Sequence, residues 1–231
     1  MLKQARHPLL LITKDHVLAN DIYMDETVRV LVISGPNTGG KTVTLKIVGL
    51  FALMVRAGLH LLCVPESEMA IFTDLHADIG DAQDLARDLS SFSAHMTQMI
   101  HLLSESTTGP TWNAPSIQRS LVLLDEPVTS TDPHEGAALA EALLCRLAEL
   151  NMKVVATTHY GALKELAQTT PGFANASVEF DVERLAPTYR LFMGIPGGSS
   201  ALEIAGRLGM DQRIVNDARK RLRREDHRLD E

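Results

Sequence analysis

The sequence predicts an α/β domain of three layers, with a mainly parallel central sheet between two layers of helices. Three observations carry this. Val28–Ser34, Leu121–Leu124 and Val154–Thr158 are short, near-continuous apolar runs, as strands covered on both faces are. Each is followed by a loop and then by apolar residues at helical spacing, the strand–loop–helix repetition of a parallel sheet. With 231 residues, 45% of them apolar, the chain is long enough for one such domain with a full core, or at most two small ones.

The elements follow in order. Val28–Ser34 ends at Gly35-Pro36, and a helix is expected from Lys41 to about Ala57, stopping at Gly58, a residue suited to a helix C-terminus. Ser90 and Ser91, ahead of FSAHMTQMIHLLSE, read as the capped start of a second helix. Residues 107–116, rich in Pro, Gly and Thr, read as a surface loop. Leu121–Leu124 is the next strand, and Glu135–Leu150 an Ala/Leu helix with acids at its start. Val154–Thr158 is a third strand, followed by a helical segment from Ala162 to Ala167. Ala176–Asp181 and Thr188–Met193 are extended pieces, and helices are expected near 200–207 and 211–224. Residues 1–224 read as the domain and 225–231 as a charged tail.

Composition narrows the function. There are 22 basic against 29 acidic residues, a formal charge of −7, and aromatics are only 4%. Phosphate neutralisation along a nucleic acid needs a basic surface, and base stacking needs rings, so a free-standing nucleic-acid binder is disfavoured. Cys63 and Cys145 stand in apolar surroundings without a CxxC or a His/Cys cluster and read as small core residues of a reducing compartment. The longest near-apolar run, Ile47–Val55, is too short to cross a bilayer, and the N-terminus lacks a small-residue cleavage site. A cytoplasmic, non-membrane protein is expected.

Two motifs carry chemistry. Gly35-Pro36-Asn37-Thr38-Gly39-Gly40-Lys41-Thr42 fits the P-loop pattern G-x4-G-K-[ST] at every fixed position, with a strand leading in and a helix leading out. Gly39 and Gly40 let backbone N–H groups converge on phosphate oxygens at a helix N-terminus. Lys41 supplies a point charge to the β- and γ-phosphates, and the Thr42 hydroxyl a ligand for Mg²⁺. The second motif is LVLLDEP, Leu121–Pro127. Its apolar strand ends in two acids, Asp125 for the Mg²⁺ shell and Glu126 as general base for an attacking water. TTHY, Thr157–Tyr160, directly follows a strand expected beside Leu121–Leu124, so His159 is expected to reach the γ-phosphate.

In this order and spacing, GPNTGGKT, LVLLDE and TTHY resemble the ATPase domain of MutS-type proteins, within the ABC-ATPase superfamily of P-loop NTPases. ARHPLL, ADIGDAQ, TDPHEGAALA and NASVEFD resemble most closely the second bacterial MutS branch, associated with suppressing recombination. The transporter signature LSGGQ is absent, which excludes an ABC transporter and disfavours the chromosome-maintenance ATPases. The resemblance covers about residues 5–224.

It implies ATP and Mg²⁺ as ligands and an ATP-dependent homodimer. LSSFSAHM matches the family segment whose Ser meets the γ-phosphate bound by the other subunit, which assigns that role to Ser90 in trans; the same Ser can also cap its own helix. Asn37 matches the P-loop Asn near the γ-phosphate and the attacking water. Val17 and Leu18 match the segment flanking adenine; being aliphatic, they imply weak base stacking. DNA contact is expected through flanking domains that would precede residue 5, and a small nuclease domain would follow the tail. The chain is expected to be either a fragment holding the ATPase module or a truncated relative, without nuclease activity of its own.

Two departures stand out. After Asp125-Glu126 the branch continues with Leu and a Gly-containing loop, whereas this chain reads PVTSTDP. IPGGSSALEIAGRLG also lacks the Arg and Asn expected after Pro-Gly. Both bear on the hydrolysis rate and its coupling to dimerisation, and they open an alternative: a non-hydrolysing or very slow ATP-binding dimerisation module.

Overall fold

The structure is a computed structural model that describes residues 1–36, 39–80, 93, 96–104, 119–129, 131–198 and 201–229. Its frame is one six-stranded sheet built from β3 (Val30–Ser34), β4 (Asp74–Asp78), β5 (Ser120–Asp125), β6 (Lys153–Thr158), β7 (Phe173–Asp181) and β8 (Ala186–Met193). The spatial order is β4-β5-β6-β3-β7-β8. The first five strands run parallel and β8 closes one edge antiparallel to β7. The sequence-based expectation of a mainly parallel sheet holds.

The core divides as a doubly covered sheet must. Successive side chains on a strand point to opposite faces. On β3, Val30 and Val32 join the cluster formed with α3 (residues 96–104), α4 (Pro133–Glu149) and α5 (Gly161–Thr169). Leu31 and Ile33 join the opposite cluster, with Leu45, Val48 and Phe51 of α2 (Lys41–Arg56). β5 divides in the same way, Val122 and Leu124 against Leu121 and Leu123. Three layers result.

Some boundaries differ from the sequence reading for local reasons. α4 starts at Pro133 rather than Glu135, because Asp132 caps it. The Asp132 carboxylate accepts from the N–H groups of His134 (3.0 Å) and Glu135 (3.1 Å), and a proline at the first helical position loses no hydrogen bond. β4, with the sequence DLHAD, gave no strand signal; as an edge strand it needs a partner on one side only and tolerates charge. At the N-terminus, β1 (Leu2–Ala5) and β2 (Asn20–Ile22) form a small antiparallel pair around α1 (Pro8–Thr13). Leu2, Ala5 and Ile22 extend the α2-side core.

The chain ends in α6 (Ala201–Arg207) and α7 (Gln212–Leu229), so helix continues through much of the expected tail. Among the described residues, no helix is long and apolar enough to cross a membrane. Cys63 and Cys145 are free and half-buried rather than fully enclosed.

His7 stands just before α1, 6% exposed, and its Nδ1 has no hydrogen-bond partner among the described residues. Burial, helped by the nearby Lys46, holds its pKa below the ordinary 6.5. The unfolded chain then binds the proton first, so this contribution to stability is complete above pH 6.5 and is lost as pH falls towards the lowered folded value. His7→Leu is expected to decline in urea stability less steeply than the wild type between pH 6.5 and 5; equal slopes would contradict this.

Candidate nucleotide-binding site

The parallel register brings the site together. Asp125 pairs with Thr157, Thr157 with Ile33, and Thr158 with Ser34, so β5, β6 and β3 end at one level. Ligands of such sheets gather beyond these carboxyl ends.

β3 runs out at Ser34 into a tight glycine turn. Gly35 has φ +131°, and a Cβ there would lie 2.6 Å from Val178 of β7. Gly40, just before α2, has φ +96°. L-residues with side chains avoid this region, so the turn can deliver the helix N-terminus only with glycine at these points.

Lys41 opens α2 and is 1% exposed. Its Nζ donates to the Gly35 carbonyl at 2.6 Å and pairs with Glu126 Oε1 at 3.0 Å. The other Glu126 oxygen, Oε2, faces His159 Nδ1 at 3.6 Å, and that imidazole is half exposed. Thr157, fully buried, ties the acids to β6: its hydroxyl donates to Asp125 Oδ1 at 2.5 Å and accepts from the Glu126 N–H at 2.9 Å. Thr42, the second residue of α2, is half-buried. The Asp125 carboxylate and the Thr42 hydroxyl are hard oxygen donors of the kind Mg²⁺ accepts, and few are needed because phosphates and water complete its shell.

The structure therefore joins Lys41, Glu126 and His159 directly, and Asp125 to them through Thr157. Gly35, Pro36, Gly39, Gly40 and Thr42 form the described part of the turn and helix start. Asn37, Thr38 and Ser90 lie outside the described residues. Val17 and Leu18 lie just before β2, the first half-buried and the second exposed.

Three contributors carry roles that no motif showed: Thr157 within TTHY, Lys164, and Gly197 within IPGGSSALEIAGRLG. Thr157 emerges only from the β5–β6 register. Lys164 of α5 donates to the Gly197 carbonyl at 2.8 Å; burial first, then Lys41, lowers its pKa. Gly197 donates in turn to the Ser34 hydroxyl at 2.7 Å, so the segment after β8 returns to the root of the glycine turn.

The loop after the acidic pair is contorted. Glu126 (φ +52°) and Val128 (φ +64°) flank Pro127, both in the left-handed region. Val128 is 5% exposed, and its carbonyl accepts from the Tyr160 hydroxyl at 3.0 Å. A glycine at either position would relieve the strain.

A glycine turn between a parallel strand and a helix, a lysine on the first helical turn and an acidic pair at the end of the next strand but one define a P-loop nucleotide-binding domain. Residues 31–225 match the family model of MutS domain V, a P-loop ATPase fold, and the chain belongs to that family. It is 51% identical over 218 residues to the endonuclease MutS2 of Caldicellulosiruptor saccharolyticus, covering 94% of this chain and 26% of that protein. It is 46% identical over 229 residues to the endonuclease MutS2 of Bacillus velezensis, covering 99% of this chain and 28% of that protein. The chain thus spans about a quarter of the length of these relatives.

Two substitutions test the local energetics. Burial of a Val side chain contributes about 1.5–3 kcal/mol and a left-handed β-branched residue costs about 1–3 kcal/mol, so the two nearly cancel at Val128. Val128→Gly is expected to be less destabilising than Val128→Ala, which keeps the strain and loses the burial; urea midpoints in the usual order, Ala above Gly, would contradict this. Thr157→Val keeps the shape but leaves the Glu126 N–H and the Asp125 carboxylate without their hydroxyl. It is expected to lower unfolding stability by about 2 kcal/mol, and a loss under about 0.5 kcal/mol would deny the hydroxyl its role.

Proposed function

We propose that this domain binds and hydrolyses ATP with Mg²⁺ and works as a nucleotide-dependent homodimer, the switch of a MutS-type DNA recombination or repair protein of the cytoplasm. The observation that carries the reading is the meeting of Lys41, Asp125, Glu126 and His159 at the carboxyl ends of β3, β5 and β6. Lys41 and the α2 N-terminus bind phosphate charge. Thr42 and Asp125 would hold Mg²⁺, whose charge would offset that of the phosphates. Glu126 takes the proton of the attacking water as its oxygen bonds to the γ-phosphorus and the bond to the ADP oxygen breaks. His159 hydrogen-bonds the γ-phosphate and senses its loss. Asn37 orients the attacking water.

ATP would lie between the P-loop of one copy and Ser90 of the other, so that the γ-phosphate itself holds the dimer. DNA contact, and the endonuclease of the relatives' names, are read as belonging to the parts of those proteins that this chain does not span.

A second reading, ATP binding with negligible turnover, is favoured by the strained Glu126–Val128 loop around Pro127. One set of measurements separates the two. ATP binding, phosphate release and mass in solution are compared for the wild type, Lys41→Ala and Glu126→Gln. Lys41→Ala is expected to abolish binding. Glu126→Gln is expected to keep ATP, accumulate as the dimer and lose about 10²–10⁴-fold in turnover. Lys41-dependent binding with background turnover in the wild type would favour the second reading. Neither binding nor ATP-dependent dimerisation would sink both.

A further inference from the structure

We propose that Tyr160 is the positioning residue of the general base: its hydroxyl, by holding the Val128 carbonyl, keeps the Glu126 carboxylate aimed at the attacking water. This deepens the hydrolysis reading and rests on it. Three observations carry the assignment. The first is the way the end of β6 grips the loop after β5. The Thr157 hydroxyl accepts from the Glu126 N–H at 2.9 Å, and His159 Nδ1 stands 3.6 Å from Glu126 Oε2. Tyr160 adds a hold beyond the acid, its hydroxyl donating to the Val128 carbonyl at 3.0 Å. The loop is thus tied on both sides of its strained residues to the single stretch Thr157–Tyr160. Tyr160 is itself fixed: it is 8% exposed, and its N–H donates to the Thr158 hydroxyl at 2.9 Å.

The second is that the loop needs a clamp. Glu126 has φ +52° and Val128 φ +64°, and a β-branched residue keeps such a conformation only where its surroundings impose it. Released at Val128, the backbone would return to negative φ. The turn that places Glu126 between Lys41 and His159 would go with it. The hydroxyl is a dependable donor, because burial first, and then the charges of Glu126 and Asp132, raise its pKa above the ordinary 10.0.

The third is the room kept for this bond. α4 passes against it at Gly136, where a Cβ would lie 2.6 Å from the Val128 carbonyl oxygen and 2.9 Å from the Tyr160 hydroxyl. Neither distance admits a side chain without displacing the bond. The helix therefore carries glycine at a position where alanine is the better helix former.

As placed, the hydroxyl acts through Glu126 rather than on the phosphates. Its removal should slow turnover and leave phosphate binding at Lys41 and the α2 N-terminus alone. The test compares wild type with Tyr160→Phe, which keeps the ring and removes the donor, by calorimetric titration with Mg-ATP and by steady-state phosphate release. Tyr160→Phe is expected to lose about tenfold in kcat and to keep its ATP Kd within about twofold. Gly136→Ala pushes the Val128 carbonyl from the other side and is expected to reproduce that split, although alanine by itself favours the helix. If Gly136→Ala does not fold, Tyr160→Phe and its combination with Val128→Gly carry the test alone. Glycine at 128 holds the left-handed conformation without a clamp, so the combined variant is expected to regain at least about threefold in kcat over Tyr160→Phe.

The proposal is overturned if Tyr160→Phe turns over ATP within about twofold of wild type, if its Kd rises in step with the loss in kcat, or if Val128→Gly restores nothing. In the last two cases the hydroxyl only stabilises the fold. Wild type whose turnover depends on Glu126 but ignores Tyr160 rejects this role alone. Wild type that binds ATP without turnover rejects the hydrolysis reading and the role together.

Discussion

A lysine ammonium with 1% exposure is the constraint from which the rest of the site follows. A buried charge without partners costs several kcal/mol, so Lys41 has to be met by oxygens from more than one direction. Among the described residues, Gly35 supplies one through its carbonyl and Glu126 another through its carboxylate. The first contact forces the glycine turn to fold back on its own helix. The second forces β5 to end at the height where β3 ends. That shared height exists because β6 lies between them in parallel register and lends Thr157 to fix both acids. Pairing of strand and strand thus serves an electrostatic demand made at one point.

The same demand explains why the site is polar on one side only. Below the acids, β3, β5 and β6 are apolar on both faces and packed between helices. Above them the glycine turn, the Glu126–Val128 loop and the Gly197 segment converge, each with backbone held outside its easy range or strapped by side chains. Glu126 and Val128 place backbone strain where chemistry is expected, as sites carried on a packed scaffold often do.

How much of this could be read from the sequence depends on range. β3, β5 and β6 announced themselves because strands buried on both faces are near-continuous apolar runs, and P-loop spacing is local. Lys41, Asp125 and Glu126 were legible for that reason. β4 was hidden by its aspartates, since an edge strand needs no apolar alternation on its open side. The start of α4 was displaced by two residues because an Asp-Pro cap was passed over in favour of the later glutamate. The roles of Thr157 and Lys164 were not legible for a different reason: each reaches the turn through tertiary register. Thr157 opens the TTHY motif, but nothing in that motif shows which hydroxyl meets the acids.

The strand order has a consequence for how the protein comes into being. β3 is made early, yet its partners in the sheet are β6 and β7, with Val30 against Val154 and Phe173. Closing such distant contacts is entropically slow, and parallel pairing cannot begin with a hairpin. On the ribosome, the phosphate turn would therefore emerge long before the strands that brace it, with Lys41 still in water. Only when β6 threads between β5 and β3 does the lysine lose its hydration and find its carboxylate. Competence for ligand should consequently arrive in a single late step, together with completion of the sheet, rather than grow as the chain lengthens.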